Sequence, residues 1–177
     1  FMWKVGGARA AKGGSLDDVI ASAQNVVNRT KSICVGLEPC VIPALGHSNF
    51  KIEDGTMEFG VGHHGEAGTK VEKLKSASEM AQEMAETILN DFDFEEGKEV
   101  AVMLSGLGAT PVMELYVLYD EVEKVLAKAG HKVWKTYIGN YVTSLDMNGA
   151  SLTIVDLDDE IKELLSEPAV PIGMKNY

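Results

Sequence analysis

Glu99-Val100-Ala101-Val102-Met103-Leu104-Ser105-Gly106-Leu107-Gly108-Ala109-Thr110-Pro111 holds three kinds of signal in one continuous stretch. Glu99 to Leu104 is apolar over the length of a strand. Gly106 to Thr110 is a turn, and Pro111 opens a helical pattern that runs to Ala129. Proline suits the first helical position, where its missing N–H would be unpaired in any case, and Thr110 suits the N-cap before it. Gly130 closes the helix, and His131 to Ile138 reads as a strand again. Strand, glycine turn, helix and strand in succession predict an α/β protein.

The flanks extend this pattern. Residues 1 to 12 read as the tail of a helix whose beginning lies upstream, stopped by Gly13-Gly14. Ser15 opens a second helix with Asp18 as its capping partner, and Leu16, Ile20, Ala23 and Val27 share one face of it. Ser32 to Leu37 is a strand, and Pro39 and Pro43 bracket a loop that cannot lie inside a sheet. Phe50 to Ile52 is a candidate short edge strand. Met57 to Gly62 alternates and reads as a further strand. Ser76 to Phe92 is an amphipathic helix with Met80, Met84, Ile88 and Leu89 inward and Glu79, Glu83 and Glu86 outward. Gly139 to Gly149 is a turn-rich loop, Ser151 to Leu157 a strand, and Asp158 to Leu165 a short helix capped by its acidic start. Pro168 and Pro171 mark a tail over residues 168–177. About five or six strands thus alternate unevenly with about four or five helices around one sheet. No repeat or interior linker divides the chain, so residues 1–177 are expected to form a single α/β domain.

Composition narrows the function classes. The chain of 177 residues is 45% hydrophobic and 24% charged, which excludes wholesale disorder. A chain of this length buries roughly 70% of its unfolded surface and needs neither disulfide nor metal for a core. Its net charge of −11 repels phosphate backbones and anionic lipid, so neither a nucleic acid nor a membrane is the expected partner. No apolar run approaches the roughly 20 residues of a membrane span. Cys34 and Cys40 fit no disulfide framework, zinc pattern or CxxC pair, and are expected to be thiols in a reducing cytoplasm.

Two glycine-rich stretches could carry chemistry. In Gly60-Val61-Gly62-His63-His64-Gly65-Glu66-Ala67-Gly68, two histidines follow a strand and are framed by glycines that let a ligand approach the backbone. If the strand continued through them, His63 and His64 would point to opposite faces and one would serve the site. Two surface histidines in a glycine loop are the alternative reading. Adjacent histidines chelate one ion poorly from a strand, and His47 and His131 stand at no ligand spacing to them, so no metal is expected. The second stretch, Ser105 to Pro111, could hold a phosphate at a helix N-terminus. Pro111, however, takes the place of the third glycine of GxGxxG, and no P-loop lysine is present. A tight, well-capped turn is the favoured reading. Asn90, Asp91, Asp93, Glu95 and Glu96 do not follow calcium-loop spacing and read as a solvated acidic turn.

Taken together the motifs resemble the dihydroxyacetone kinase family. Met57 to Gly68 is similar to that family's histidine motif. Gly106 to Pro111 with Glu114-Leu115-Tyr116 is similar to its next signature, and Gly139 to Met147 with Ser151 to Ile154 to its final block. Gly14 to Asp17 and Val41-Ile42-Pro43 also fit, so the likeness covers nearly the whole chain in order. It implies a two-layer α/β sandwich with a mixed sheet of about six strands, the C-terminal half of the substrate-binding K subunit. It also implies a homodimer in the cytoplasm, working with the N-terminal half of the same subunit. No cofactor is expected on this chain; ADP or ATP and magnesium are expected on a nucleotide-binding partner subunit. His64 takes the place of the histidine that forms a covalent hemiaminal with dihydroxyacetone. Gly62, Gly65 and Glu66 would line the substrate, with Glu66 orienting the His64 ring. The chain departs from the pattern at His63, where an aliphatic residue is usual, at Ala67 for proline and at Ser105 for asparagine. The likeness to the K subunits of bacterial phosphotransferase-linked enzymes implies phosphorylation to dihydroxyacetone phosphate. Family members that act as ligand-sensing coregulators of transcription give the alternative.

Overall fold

In chain order the computed structural model contains α1 (Met2–Ala11), α2 (Leu16–Asn28), β1 (Thr30–Glu38), β2 (Thr56–Phe59), β3 (Lys70–Lys73), α3 (Ala77–Asn90), β4 (Glu99–Gly106), α4 (Val112–Lys128), β5 (Lys132–Gly139), β6 (Asn148–Asp156) and α5 (Asp159–Ser166). It describes residues 1–48, 50–62, 66–92, 94 and 97–173. The strands form one six-stranded sheet in the order β3-β2-β1-β6-β4-β5. β1 and β2 are antiparallel, with Val35 opposite Phe59, and so are β2 and β3, with Thr56 opposite Lys73. β4 and β5 are parallel from Glu99 opposite Lys132 to Ser105 opposite Gly139. The sheet is therefore mixed, as expected.

The chain divides into two compact units, Phe1–Thr30 with the chain from Val155 onward, and Lys31–Ile154. In the larger unit, alternation along each strand sends Val35, Val100, Val102, Leu104, Ala150, Leu152 and Ile154 to one face of the sheet. Met80, Met84 and Ile88 of α3 and Leu115, Val122 and Leu126 of α4 cover that face, which makes two layers. Each of these side chains other than Ala150 contributes about 1.5–3 kcal/mol on leaving water. In the smaller unit, α1, α2 and α5 are joined by polar contacts. Lys12 pairs with Glu163 at 2.7 Å and Glu167 at 2.9 Å, and Asn25 Nδ2 donates to Asp158 at 2.8 Å. Arg29 pairs with the buried Asp156.

The expected caps hold at two helix starts: Ser15 and Asp18 form a full capping box on α2, and Asp158 Oδ1 accepts the Ile161 N–H of α5 at 2.8 Å. Ser76 and Glu79 form a further capping box on α3. Four readings need correction. The apolar face of α2 is turned outward: Leu16 is 74% and Ile20 56% exposed, while Ser22 and Val26 are buried. Ser22 tolerates burial because its hydroxyl donates to Glu160 at 2.7 Å. α4 starts one residue late, with Pro111 as N-cap, because the Thr110 hydroxyl is bonded to Gly149 instead of to the first turn. Phe50 to Ile52 pairs with no strand; Phe50 packs on a small cluster of Cys40, Val61, Leu107 and Met147, and the edge is β3 instead. β2 ends at Phe59, not Gly62, because Gly60 takes φ of 80° and leaves the extended region.

Replacing Ser76 with alanine removes the reciprocal cap of α3. It should lower stability by about 1 kcal/mol in urea unfolding, with the slope of the transition unchanged.

Candidate functional site

The loop after β2 is pinned at its base by four backbone N–H bonds. Gly60 N–H donates to the Cys34 carbonyl at 2.7 Å, Thr69 N–H to Phe59 at 2.8 Å, Gly68 N–H to Glu58 Oε1 at 2.5 Å, and Gly62 N–H to Glu66 at 3.0 Å. The last bond holds residues 62 and 66 together across the three residues that separate them in sequence. A Cβ at Gly62 would meet the Glu66 side chain, which would have to move. Gly68 is the more constrained, since a Cβ there would meet the Phe59 backbone carbonyl oxygen as well as the Glu58 side chain. The glycines that sequence reading assigned to ligand approach therefore also serve close packing.

Of the expected site residues, the structure brings Gly62 and Glu66 together. His63, His64 and Gly65 lie outside the described residues. β2 stops at Phe59, so alternation along that strand assigns no face to His63 or His64. Among the acidic residues, Asp93, Glu95 and Glu96 also lie outside the described residues. Among those described, no group of three or more His, Cys, Asp or Glu could hold a metal ion. Among the described residues, no helix is long and apolar enough to cross a membrane.

Val61 carries this loop onto one face of β1. A Cβ on Gly36 would stand 3.3 Å from Val61 Cγ1, and Val61, Cys40, Leu107 and Met147 form a small buried cluster there. Cys34 packs against the same cluster, and burial pushes its thiol up to about 11. A thiol so placed is not a nucleophile at neutral pH.

The turn after β4 is a structural lock. Its Leu107 and Ala109 N–H groups donate to Gly149 and Met147 at 3.1 Å each, so neither is available to a phosphate. Ser105 Oγ, fully buried, accepts N–H bonds from Tyr141 at 2.9 Å and Val142 at 3.0 Å. A Cβ on Gly108, at φ of 137°, would strike the Leu145 carbonyl oxygen. Leu145 itself takes φ of 53°, a rare conformation for a non-glycine residue, inside a turn closed by Met147 N–H to Ser144 at 3.0 Å. Asp146 Oδ1 then accepts the Val41 N–H at 2.7 Å and ties the proline loop to the same place. Sequence reading noted Ser105 as a departure and gave Glu58 and Asp146 no role; nothing local marks a long-range acceptor.

Ser105→Ala strands the Tyr141 and Val142 amides and should cost about 2 kcal/mol, read by chemical denaturation. Cys34 should alkylate with iodoacetamide on the order of a hundredfold more slowly in the native chain than in urea at pH 8. Its native rate should climb steadily towards pH 10; a Cys40→Ser background isolates it.

The model of the Dak1 domain matches residues 1–172. The dihydroxyacetone-binding subunit DhaK of PTS-dependent dihydroxyacetone kinase 1 from Listeria innocua is 41% identical over 157 residues, covering 89% of this chain and 48% of that protein. The chain spans about half the length of the first curated relatives it matches. Among solved structures, the dihydroxyacetone kinase operon co-activator Dha-DhaQ superposes with a TM-score of 0.88 at 30% identity, covering 94% of this chain and 52% of its own. The dihydroxyacetone kinase from C. freundii in complex with AMP-PNP and Mg2+ gives 0.82 at 28%, covering 93% and 30%. With the family model matching residues 1–172 of this chain, and both solved structures superposing over more than nine-tenths of it, the chain belongs to the Dak1 domain family.

Proposed function

We propose that this chain is the dihydroxyacetone-binding part of a dihydroxyacetone kinase and holds the ketone on His64 for phosphorylation to dihydroxyacetone phosphate. The observation that carries the reading is the 41% identity to a protein named as a dihydroxyacetone-binding subunit. A neutral imidazole nitrogen of His64 adds to the ketone carbon, the carbonyl oxygen takes up a proton, and the imidazolium loses one. The net change is addition of N–H across C=O, with no other reactant. An imidazole at the ordinary histidine pKa of about 6.5 is mostly neutral at pH 7, the form this addition needs. A polyol such as glycerol has no carbonyl to add to and is rejected.

The covalent adduct fixes the terminal hydroxyl for transfer, and positioning is most of what phosphoryl transfer asks of a protein. The bonded base at Gly62 and Glu66 supports this role, because it sets where the intervening segment starts and returns. Glu66 is assigned to orienting the His64 ring. ADP or ATP with magnesium belongs on a nucleotide-binding partner subunit, a view supported by the nucleotide and Mg2+ named for the C. freundii enzyme. The reading includes the upstream half of the same subunit, a homodimer and a cytoplasmic, phosphotransferase-linked setting in glycerol metabolism.

The similarity to a co-activator at a TM-score of 0.88 favours a second reading, a dihydroxyacetone-sensing coregulator that does not catalyse. Both readings are tested with the upstream half restored. Calorimetric titration should show dihydroxyacetone but not glycerol binding, with His64→Ala losing at least about tenfold in affinity. Turnover on addition of a nucleotide-binding donor subunit supports the kinase. Binding without turnover leaves the sensor, and no ketone binding by the complete subunit defeats both.

A further inference from the structure

A cavity of about 240 Å³ lies in the larger unit, between the starts of α3 and α4 and the sheet. Its walls are apolar: Val35 and Leu37 of β1, Ala150 of β6, Met80 of α3, and Leu115 and Leu118 of α4. Leu74 and Val117, which are 53% and 55% exposed, also line it. This cavity is separate from the loop of Gly62 and Glu66. Val35 faces the cavity, whereas its neighbour Gly36 faces Val61, so the two features use opposite faces of β1. Nothing in the proposed ketone chemistry draws on it.

The volume exceeds the roughly 150 Å³ that suffices for a benzene molecule in a dry apolar cavity. Three polar side chains join the lining: Thr110, Lys75 and Glu114. The Thr110 hydroxyl is already bonded to Asn148 at 2.9 Å and to Gly149 at 2.6 Å. Lys75 Nζ meets Glu72 at 2.7 Å and Glu83 at 2.5 Å, which leaves one of its three donor hydrogens. The Glu114 side chain has no hydrogen-bond or ion-pair partner among the described residues. An anionic head would meet Glu114 beside the Glu72 and Glu83 carboxylates, which already engage the two ammoniums of Lys70 and Lys75, and a cationic head would meet Lys75. A hydroxyl suits both, since it can donate to Glu114 while accepting from Lys75.

We propose that this cavity is a second ligand site, which takes a neutral aliphatic alcohol of roughly six to eight carbons with its hydroxyl between Glu114 and Lys75. The apolar chain fills the space over Val35 and Ala150. Met80 reports on occupancy from the wall, and Met103 serves as the control, because it lies between Val102 and Leu104 in β4 and so faces the other side of the sheet.

The test is a titration of the whole chain, labelled with carbon-13 at the methionine methyls, with 1-heptanol. A saturable shift of the Met80 methyl with Met103 unmoved is the expected result. Ala77→Leu narrows the cavity at the first residue of α3. It should keep the far-ultraviolet dichroism and Tm of the parent and weaken binding about tenfold, as for the loss of roughly two buried methylenes. Heptanoate should bind more weakly than heptanol. A Met80 shift that stays absent or rises linearly without saturation overturns the site. So does unchanged affinity in folded Ala77→Leu, and heptanoate binding as tightly as heptanol overturns the assignment to a neutral ligand.

Discussion

The Thr110 hydroxyl bonds the Gly149 carbonyl at 2.6 Å, and the Gly149 N–H returns to the same oxygen at 2.8 Å. This pair joins the turn after β4 to the start of β6 while both are buried. The approach is so close that a Cβ on Gly149 would strike the Val35 carbonyl, one on Gly108 the Leu145 carbonyl, and one on Gly106 the Asn140 side chain. Glycine is required at 108 and 149, where the atom struck is backbone, whereas at 106 the Asn140 side chain would have to give way. The bonds of Leu107, Ala109, Ser105 and Ser144 then follow, and with Asp146 they bring the proline loop to the same end of the sheet. The start of α4, one wall of the apolar cavity and the small cluster beside Val61 all depend on this lock.

Local rules made most of the fold legible. Ser15, Ser76 and Asp158 announced helix starts, because a capping side chain acts within three residues of its own position. The stripe of Met80, Met84 and Ile88 announced the buried face of α3 for the same reason. Failures came where a distant partner decided. Lys70 to Lys73 is too polar to read as a strand, yet it pairs with β2 at the sheet edge, where charge is tolerated. Thr110 had a helix to cap and bonded β6 instead. On α2 the apolar face stayed exposed because Ser22 and Asn25 found carboxylates on the other side.

Residue type and spacing are what nominate the candidate site, since two histidines among glycines after a strand are visible in sequence. Its mounting is not. Glu58 holds Gly68 from ten residues away, and the short β2 follows from the φ of Gly60, which composition permits but does not demand. The resemblance to a kinase family, read from ordered motifs, agrees with the matched family model and with the six-stranded mixed sheet. β1 presents different environments on its two faces, with the histidine-bearing loop anchored on one and the apolar cavity on the other.

The central claim is that His64 anchors a ketone covalently. Carbon NMR of dihydroxyacetone labelled at its carbonyl carbon, mixed with the protein carrying its upstream half, tests this most directly beside His64→Ala. The account requires part of the ketone resonance to become that of a tetrahedral carbon with the unaltered protein and not with the variant. A ketone resonance unchanged in both, or a tetrahedral signal that survives loss of His64, contradicts it.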